Sequence, residues 1–327
     1  MPVNRAQGCL LGQLAGDALG SLVEFQSPEE IRRNYPDGVR ELADGGTWNT
    51  IAGQPTDDSE MALLLARMLT ERGAYDPDAA LRAYQFWLDS DPFDCGMTIA
   101  TGLRGCPNPD SQANGAMMRI SPLGIFGANH PLETVGDWAK QDAALTHPNP
   151  VCLQANTLFT MAIAHAIASG CEAGKLYQNI KQWAADLAAD PALMDAIHGA
   201  AEAPPDDYVQ QQGWVLIAFR NALWQLLNAP SFEAGVVDTV MRGGDTDTNA
   251  AICGALLGGG VRLGRHTRPM GRAGPELPPQ GRTSRRQPPA IRVLLAGGCF
   301  GTGRSLNSGL TALTTEFVHE LIHRQRG

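Results

Sequence analysis

Gly243-Gly244-Asp245-Thr246-Asp247-Thr248-Asn249-Ala250-Ala251-Ile252-Cys253-Gly254-Ala255-Leu256-Leu257 is the stretch on which the reading of this chain turns. Its two leading glycines can take backbone angles closed to other residues. The small residues from Asn249 onward read as a helix packed tightly against its neighbours. Two carboxylates and two hydroxyls therefore sit on a turn that feeds a helix N-terminus. Asp and Thr are ordinary capping residues for such a turn, and they are also the hard oxygen donors that a divalent cation selects. The stretch alone leaves both readings open.

Working outward, the same style of packing recurs at the other end of the chain. Gly8, Gly12, Gly16 and Gly20 are spaced four apart and form one smooth stripe on a helix, against which another helix can lie closely. Reading residues 5–24 as one helix puts Asp17 and Glu24, seven apart, on the same face. A second oxygen-rich helix start follows at Thr56-Asp57-Asp58. From there Met61, Leu64, Leu65, Met68 and Leu69 keep the amphipathic rule and Gly73 ends the helix. Here too a Thr cap with acids in the first turn is favourable against the helix dipole. Further helices are expected over Asp78–Leu88, Val151–Ser169 (ended by Gly170), 174–200 as one or two, Trp214–Leu227 and Ser231–Met241. Strand-like alternation is almost absent, so the body is expected to be an all-α, compact single domain.

The 327 residues carry 25 Lys and Arg against 34 Asp and Glu, unevenly placed. Residues 259–327 hold 11 basic and 3 acidic residues, leaving 14 basic and 31 acidic in 1–258. A body this acidic argues against a nucleic-acid partner and suits a site that concentrates divalent cations. The seven cysteines are odd in number and lack paired or zinc-like spacing, which points to free thiols in a reducing cytosol. No run approaches the ~18 to 20 apolar residues of a membrane span, and a monomer is expected.

Asp94 stands in a turn, Asp91-Pro92-Phe93-Asp94-Cys95-Gly96, which turn chemistry alone can explain. Asn114-Gly115 lacks flanking strand patterns and fits a loop whose backbone approaches something closely. His147, in Thr146-His147-Pro148, is more often a local hydrogen-bonding group than a ligand. From Gly259 the character changes: 259–290 is Gly, Arg and Pro rich and linker-like, and residues 259–327 are expected to be a poorly ordered tail. Within it 291–296 reads as a short strand and 313–324 as a helix. Gly298 to Ser305 superficially resembles a phosphate loop, but Arg304 stands where that motif needs Lys.

Taken in order, Gly16-Asp17-Ala18-Leu19-Gly20 with Glu24-Phe25, Gly45-Gly46, Thr56-Asp57-Asp58, Asp94-Cys95-Gly96, Asn114-Gly115-Ala116-Met117-Met118-Arg119, Thr146-His147, Gly213-Trp214-Val215 and Gly243 to Thr248 resemble the motifs of the ADP-ribosylglycohydrolase family. The likeness covers about residues 5–258. It departs in reading Thr-Asp-Asp-Ser at the second cluster and in replacing the family's closing Tyr-Gly, Ile-Pro and Trp segment with the basic tail. Such an abrupt onset is what a reading-frame change near Gly259 would produce.

The resemblance implies a multi-helix fold and a metal-dependent hydrolase that removes ADP-ribose from a modified protein side chain, foremost arginine, with two Mg²⁺ or Mn²⁺ ions in a cleft. Thr56, Asp57, Asp58, Asp245, Asp247 and Thr248 would hold the ions. Asp94 would be the catalytic carboxylate, with Glu24 as the second candidate. Gly96, Asn114, Gly115, His147, Trp214, Gly243 and Gly244 would bind substrate. A catalytically silent ADP-ribose-binding member and an immunity protein against an ADP-ribosylating toxin are the alternatives.

Overall fold

A computed structural model describes residues 2–261. The linker, strand, phosphate-like loop and final helix expected beyond them lie outside the described residues, as does most of the tail. Among the described residues there are thirteen helices and no sheet, only isolated bridges at Gly45–Thr50 and Ala113–Trp214.

The centre of the molecule is the pair formed by α1 (Pro2–Gly20) and α13 (Thr246–Gly258). The glycine stripe of α1 meets a matching small-residue stripe on α13. An ideal Cβ on Gly8, Gly12 or Gly16 would lie 2.3, 2.3 and 2.1 Å from the backbone oxygens of Gly258, Gly254 and Ala250. No real side chain tolerates such distances, so the two backbones touch directly. Gly20 extends the contact to the first turn of α13, where its Cβ would meet Asp247 Cα at 2.4 Å. That close approach seats the acidic turn against the end of α1. Every residue of α13 from Thr246 to Leu257 is buried, which explains why no polar face is legible there.

Around this pair pack α3 (Asp57–Arg72), α6 (Ser121–Gly127), α8 (Pro150–Ser169), α11 (Val215–Asn228) and α12 (Phe232–Val240). The remaining helices are α2 (Pro28–Asn34), α4 (Pro77–Leu88), α5 (Met97–Leu103), α7 (Leu132–Ala144), α9 (Ala173–Asp186) and α10 (Pro191–Gly199). α8 is long and apolar enough to cross a membrane by length and composition, contrary to the expectation from the sequence. Of its most apolar window 78% is buried inside the fold, as befits a central core helix. α3 and α8 end where expected, on Gly73 and Gly170 in left-handed conformation.

One expectation about α1 fails. The helix stops at Gly20, and residues 21–25 form a turn. Asp17 and Glu24 therefore do not share a helical face, although both are buried.

Candidate active site

Two helix starts, two turns and one loop converge on a cavity of about 470 Å³, within the ordinary range of small-molecule sites. Its wall includes Glu24, Phe25, Asp57, Asp94, Asn114 and Asp247.

Asp17 builds the first helix start. Its carboxylate accepts from the Thr56 amide (3.0 Å), the Thr56 hydroxyl (2.9 Å) and the Ser59 amide (3.1 Å). Thr56 occupies the N-cap position of α3 but makes no capping bond through its side chain. The cap comes instead from α1, across the fold. This frees the Thr56 hydroxyl, which also lies 3.0 Å from Asp58 Oδ2. A hydroxyl has one proton to give, so it serves only one of these two carboxylates at a time. Thr248 reaches the same Asp58 oxygen at 3.3 Å, while Asp58 Oδ1 is buried with no protein partner.

The second helix start is held from both sides. The Phe25 amide donates to Gly244 O (2.8 Å) and the Gly244 amide to Gln26 O (3.1 Å). Gly243 and Gly244 both have positive φ, and a Cβ on Gly244 would sit 1.9 Å from Tyr208 O. The two glycines thus shape the turn and stand outside the residues that line the cavity. Asp245 Oδ2 accepts from Asn114 Nδ2 at 2.7 Å, and the Asn114 amide donates to Gly213 O at 2.9 Å. The Asn114-Gly115 loop is thereby tied to the 213–245 side of the site. Gly96 and Gly115 line the cavity. Trp214 does not: it packs against the core and its indole donates to Gln112 Oε1 at 2.8 Å.

Glu24, Asp94 and Asp247 each present an oxygen within 4.8 Å of the others. All three stand among the candidate site residues of the sequence, but their meeting at one point, from three separate segments, is set by the fold. Also missed was Trp48. Its indole donates to Glu24 Oε2 at 2.6 Å, while the Thr47 hydroxyl donates to Glu24 O at 2.9 Å. Trp48 stands edge-on to Phe25 (6.4 Å) and to Phe93 (6.0 Å), so one aromatic row links the neighbours of Glu24 and Asp94. The sequence signal was the glycine pair Gly45-Gly46 before a lone Trp. Phe25 itself has φ of 64° and is 53% exposed. A bulky residue in that backbone region is strained, and here the two bonds with the Gly244 turn hold it.

Burial pushes these carboxyls toward their protonated forms, and the neighbouring charges add to it. Glu24 rises to about 8 from burial and Asp94. Asp94 rises to about 6 from burial and Asp245. Asp57, Asp58 and Asp247 lie well above the usual carboxylate range for the same reasons. So many crowded acids are stable as carboxylates only if cations are present. The donor set is all oxygen, as hard divalent ions require, and the partnerless Asp58 Oδ1 is an oxygen with coordination to offer. The residues present fit a divalent-metal site.

The sequence model of ADP-ribosylglycohydrolases matches residues 2–264. The chain belongs to the ADP-ribosylglycohydrolase family. Among relatives of this chain, the ADP-ribosyl-(dinitrogen reductase) glycohydrolase of Rhodospirillum rubrum is 30% identical, covering 78% of this chain and 85% of that protein. The ADP-ribosylarginine hydrolase Tri1 of Pseudomonas putida is 24% identical, covering 78% and 70%. The human ADP-ribosylhydrolase ARH3 is 24% identical, covering 78% and 85%. A solved structure described as an ADP-ribosylglycohydrolase-related protein complex shares the fold, with a TM-score of 0.74 at 24% identity over 98% of this chain and 99% of that one.

Proposed function

We propose that this family member hydrolyses the glycosidic bond between ADP-ribose and a protein side chain, arginine foremost, with Mg²⁺ or Mn²⁺ bound. The observation that carries this reading is the convergence of buried carboxylates from α3, α13 and the 21–25 turn, with half-buried Asp94 from the 91–96 turn, on one cavity wall. Glu24, Asp57, Asp58, Asp94, Asp245, Asp247 and the hydroxyls of Thr56 and Thr248 are the oxygens that would hold the ions. When bound, the ions would supply positive charge that orients ribose hydroxyls and polarises water.

The protein groups do the rest. Cleavage passes through an oxocarbenium-like state, and carboxylates facing the sugar stabilise that charge. Asp94, at the less buried end of the acidic set, takes the proton of the attacking water, whose oxygen joins the anomeric carbon as the bond to the side-chain nitrogen breaks. The electron pair of the broken bond stays on the guanidine nitrogen, which then takes the water's proton from Asp94, so the carboxylate is restored and atoms and charge balance. Glu24, fixed by Trp48, is the second carboxylate in reach. Asn114, Gly96 and Gly115 present the loop surface for the nucleotide.

The test incubates the purified protein with ADP-ribosylarginine protein, with Mg²⁺, with Mn²⁺ and with chelator, and compares Asp245→Ala. Metal-dependent release of ADP-ribose, lost in the variant, is expected. Release indifferent to chelation and to the substitution refutes the metal-dependent reading. Tight ADP-ribose binding without release from any linkage would favour the silent family member instead.

A further inference from the structure

A second set of buried polar groups ends on the same cavity, at His147. Arg119 is fully buried and lies over the Tyr84 ring at 4.6 Å. Its Nε donates to Asp142 Oδ1 (3.1 Å), its Nη2 to Asp142 O (3.1 Å), and its Nη1 to Gly115 O (3.2 Å) and to Thr146 Oγ1 (3.0 Å). The other oxygen of Asp142 accepts from Tyr84 (3.0 Å) and Tyr75 (3.4 Å). Such a charge pair, closed off from water and with four N–H bonds fixing the guanidinium, holds it in one place. Thr146 Oγ1 in turn lies 2.7 Å from His147 Nδ1. His147 lines the cavity, is itself fully buried, and its Nε2 has no protein partner.

The direction of each proton follows from the inventory of donors. A guanidinium only donates, so Thr146 Oγ1 is an acceptor toward Arg119. The proton of that hydroxyl then needs an acceptor of its own, and His147 Nδ1 is the one it meets. Were Nδ1 protonated, Thr146 would face two donors and its own buried proton would have no partner, at a cost of about 1–3 kcal/mol. Nδ1 therefore accepts, and the single ring proton sits on Nε2.

We propose that Asp142, Arg119 and Thr146 are positioning residues that set His147 as an Nε2–H donor toward an acceptor oxygen of the ADP-ribose bound in the cavity. This rests on the function proposed above for the choice of ligand; the tautomer itself does not. Burial and the Arg119 charge together push the imidazole down to about 3. The donor thus stays uncharged in neutral solution, which suits a hydroxyl or a phosphate oxygen without adding a cation to a site already arranged for metal ions.

The test begins with the wild-type protein labelled with ¹⁵N-histidine, without ligand. His147 should show a protonated Nε2 and an accepting Nδ1. Thr146→Val keeps the shape and deletes the hydroxyl. It should mix the two tautomers and weaken ADP-ribose binding about 3- to 10-fold, the worth of one hydrogen bond. KM should rise more than kcat falls, and Thr146→Ser should restore both. Titration with ADP locates the acceptor: weakening shared by ADP places it on the diphosphate, and weakening confined to ADP-ribose places it on the terminal ribose. A protonated Nδ1 in the wild type overturns the proposal whatever the variants do. So does a Thr146→Val protein that keeps the wild-type spectrum and affinity. Failure of the wild type to bind ADP-ribose would instead overturn the functional reading and leave the tautomer standing.

Discussion

Substituting Gly12→Ala tests whether α1 and α13 are in backbone contact. An ideal Cβ at Gly12 lies 2.3 Å from Gly254 O, 3.0 Å from Gly254 C and 3.0 Å from Phe232 Cε2. Carbon and oxygen that are not bonded rest at about 3.3–3.6 Å, so the helices must part by roughly 1 Å. The obstructing atoms are mostly backbone, which cannot swing aside. A gap of about that size forfeits a quarter to a half of each dispersion contact along the seam, and overpacking in cores costs about 1–3 kcal/mol. Against this, Ala is favoured over Gly in a helix interior by ~1 kcal/mol. The clash wins because it propagates along the whole seam. We expect a net loss of about 1–2 kcal/mol, read as a fall in Tm of roughly 2–8 °C for a protein of this size. Gly174→Ala in α9 is the control, since nothing lies within 4 Å of its added Cβ; its melting point should hold or rise. Gly12→Ala should also blunt the rise in Tm on adding Mn²⁺, because α1 carries Asp17 and α13 carries Asp247. Thermal melts of the three proteins decide the matter. A Gly12→Ala protein melting at or above wild type would refute the claim that this seam is backbone-limited.

Three further outcomes are expected. Asp247→Asn should abolish the Mn²⁺-induced rise in Tm, which saturation at about 100 Kd would set near 2.7 kcal/mol. In metal-free protein it should melt no lower than wild type, since burial and the neighbouring Glu24 already hold the Asp247 carboxyl toward its uncharged form there and Asn is a neutral group of the same shape; a large loss of metal-free stability would contradict this account. Trp48→Phe keeps the ring between Phe25 and Phe93 but removes the donor to Glu24. A lost bond to a charged group is worth about 1.5–3 kcal/mol, so kcat/KM on ADP-ribosylarginine protein should fall roughly 10- to 100-fold with Tm little changed, and unaltered kinetics would show that Glu24 does not need Trp48. His147 is held at about 3 in the fold against 6.5 for the free side chain, so between those values the unfolded chain binds a proton that the fold does not. Its stabilising contribution is complete above pH 6.5 and is lost as pH falls toward 3. Compared with His147→Gln, the wild type should lose stability more steeply on acidification from pH 6.5 to 4, measured by denaturant unfolding; parallel curves would count against a buried neutral imidazole.

Much of the architecture was legible locally. The amphipathic spacing of Met61 to Leu69, the helix-ending Gly73 and Gly170, and the absence of strand alternation all act within one or two turns, and all appear in the fold. α2, α5, α6 and α7 went unread, because they are short or lie in stretches without a clear apolar period. The two acidic helix starts were legible as dense oxygen clusters. Their partners were not: that Asp17 caps α3, that Glu24 sits in a turn beyond the end of α1, and that Trp48 holds Glu24 depend on segments far apart in sequence.

The sequence by itself determined the longer helices, the glycine stripe and the chemical character of the donors, since propensity, spacing and residue type are local properties. Only the tertiary structure decided which donors meet. The stripe on α1 finds its counterpart on α13, and their backbone contact carries Asp247 and Thr248 to Asp58 and brings Asp247 together with Glu24 and Asp94. The same packing leaves Trp214 and the Gly243-Gly244 pair behind the wall of the cavity. Spacing along a chain specifies a face, but a site assembled from several segments exists only once the close packing of their helices has set the distances between them.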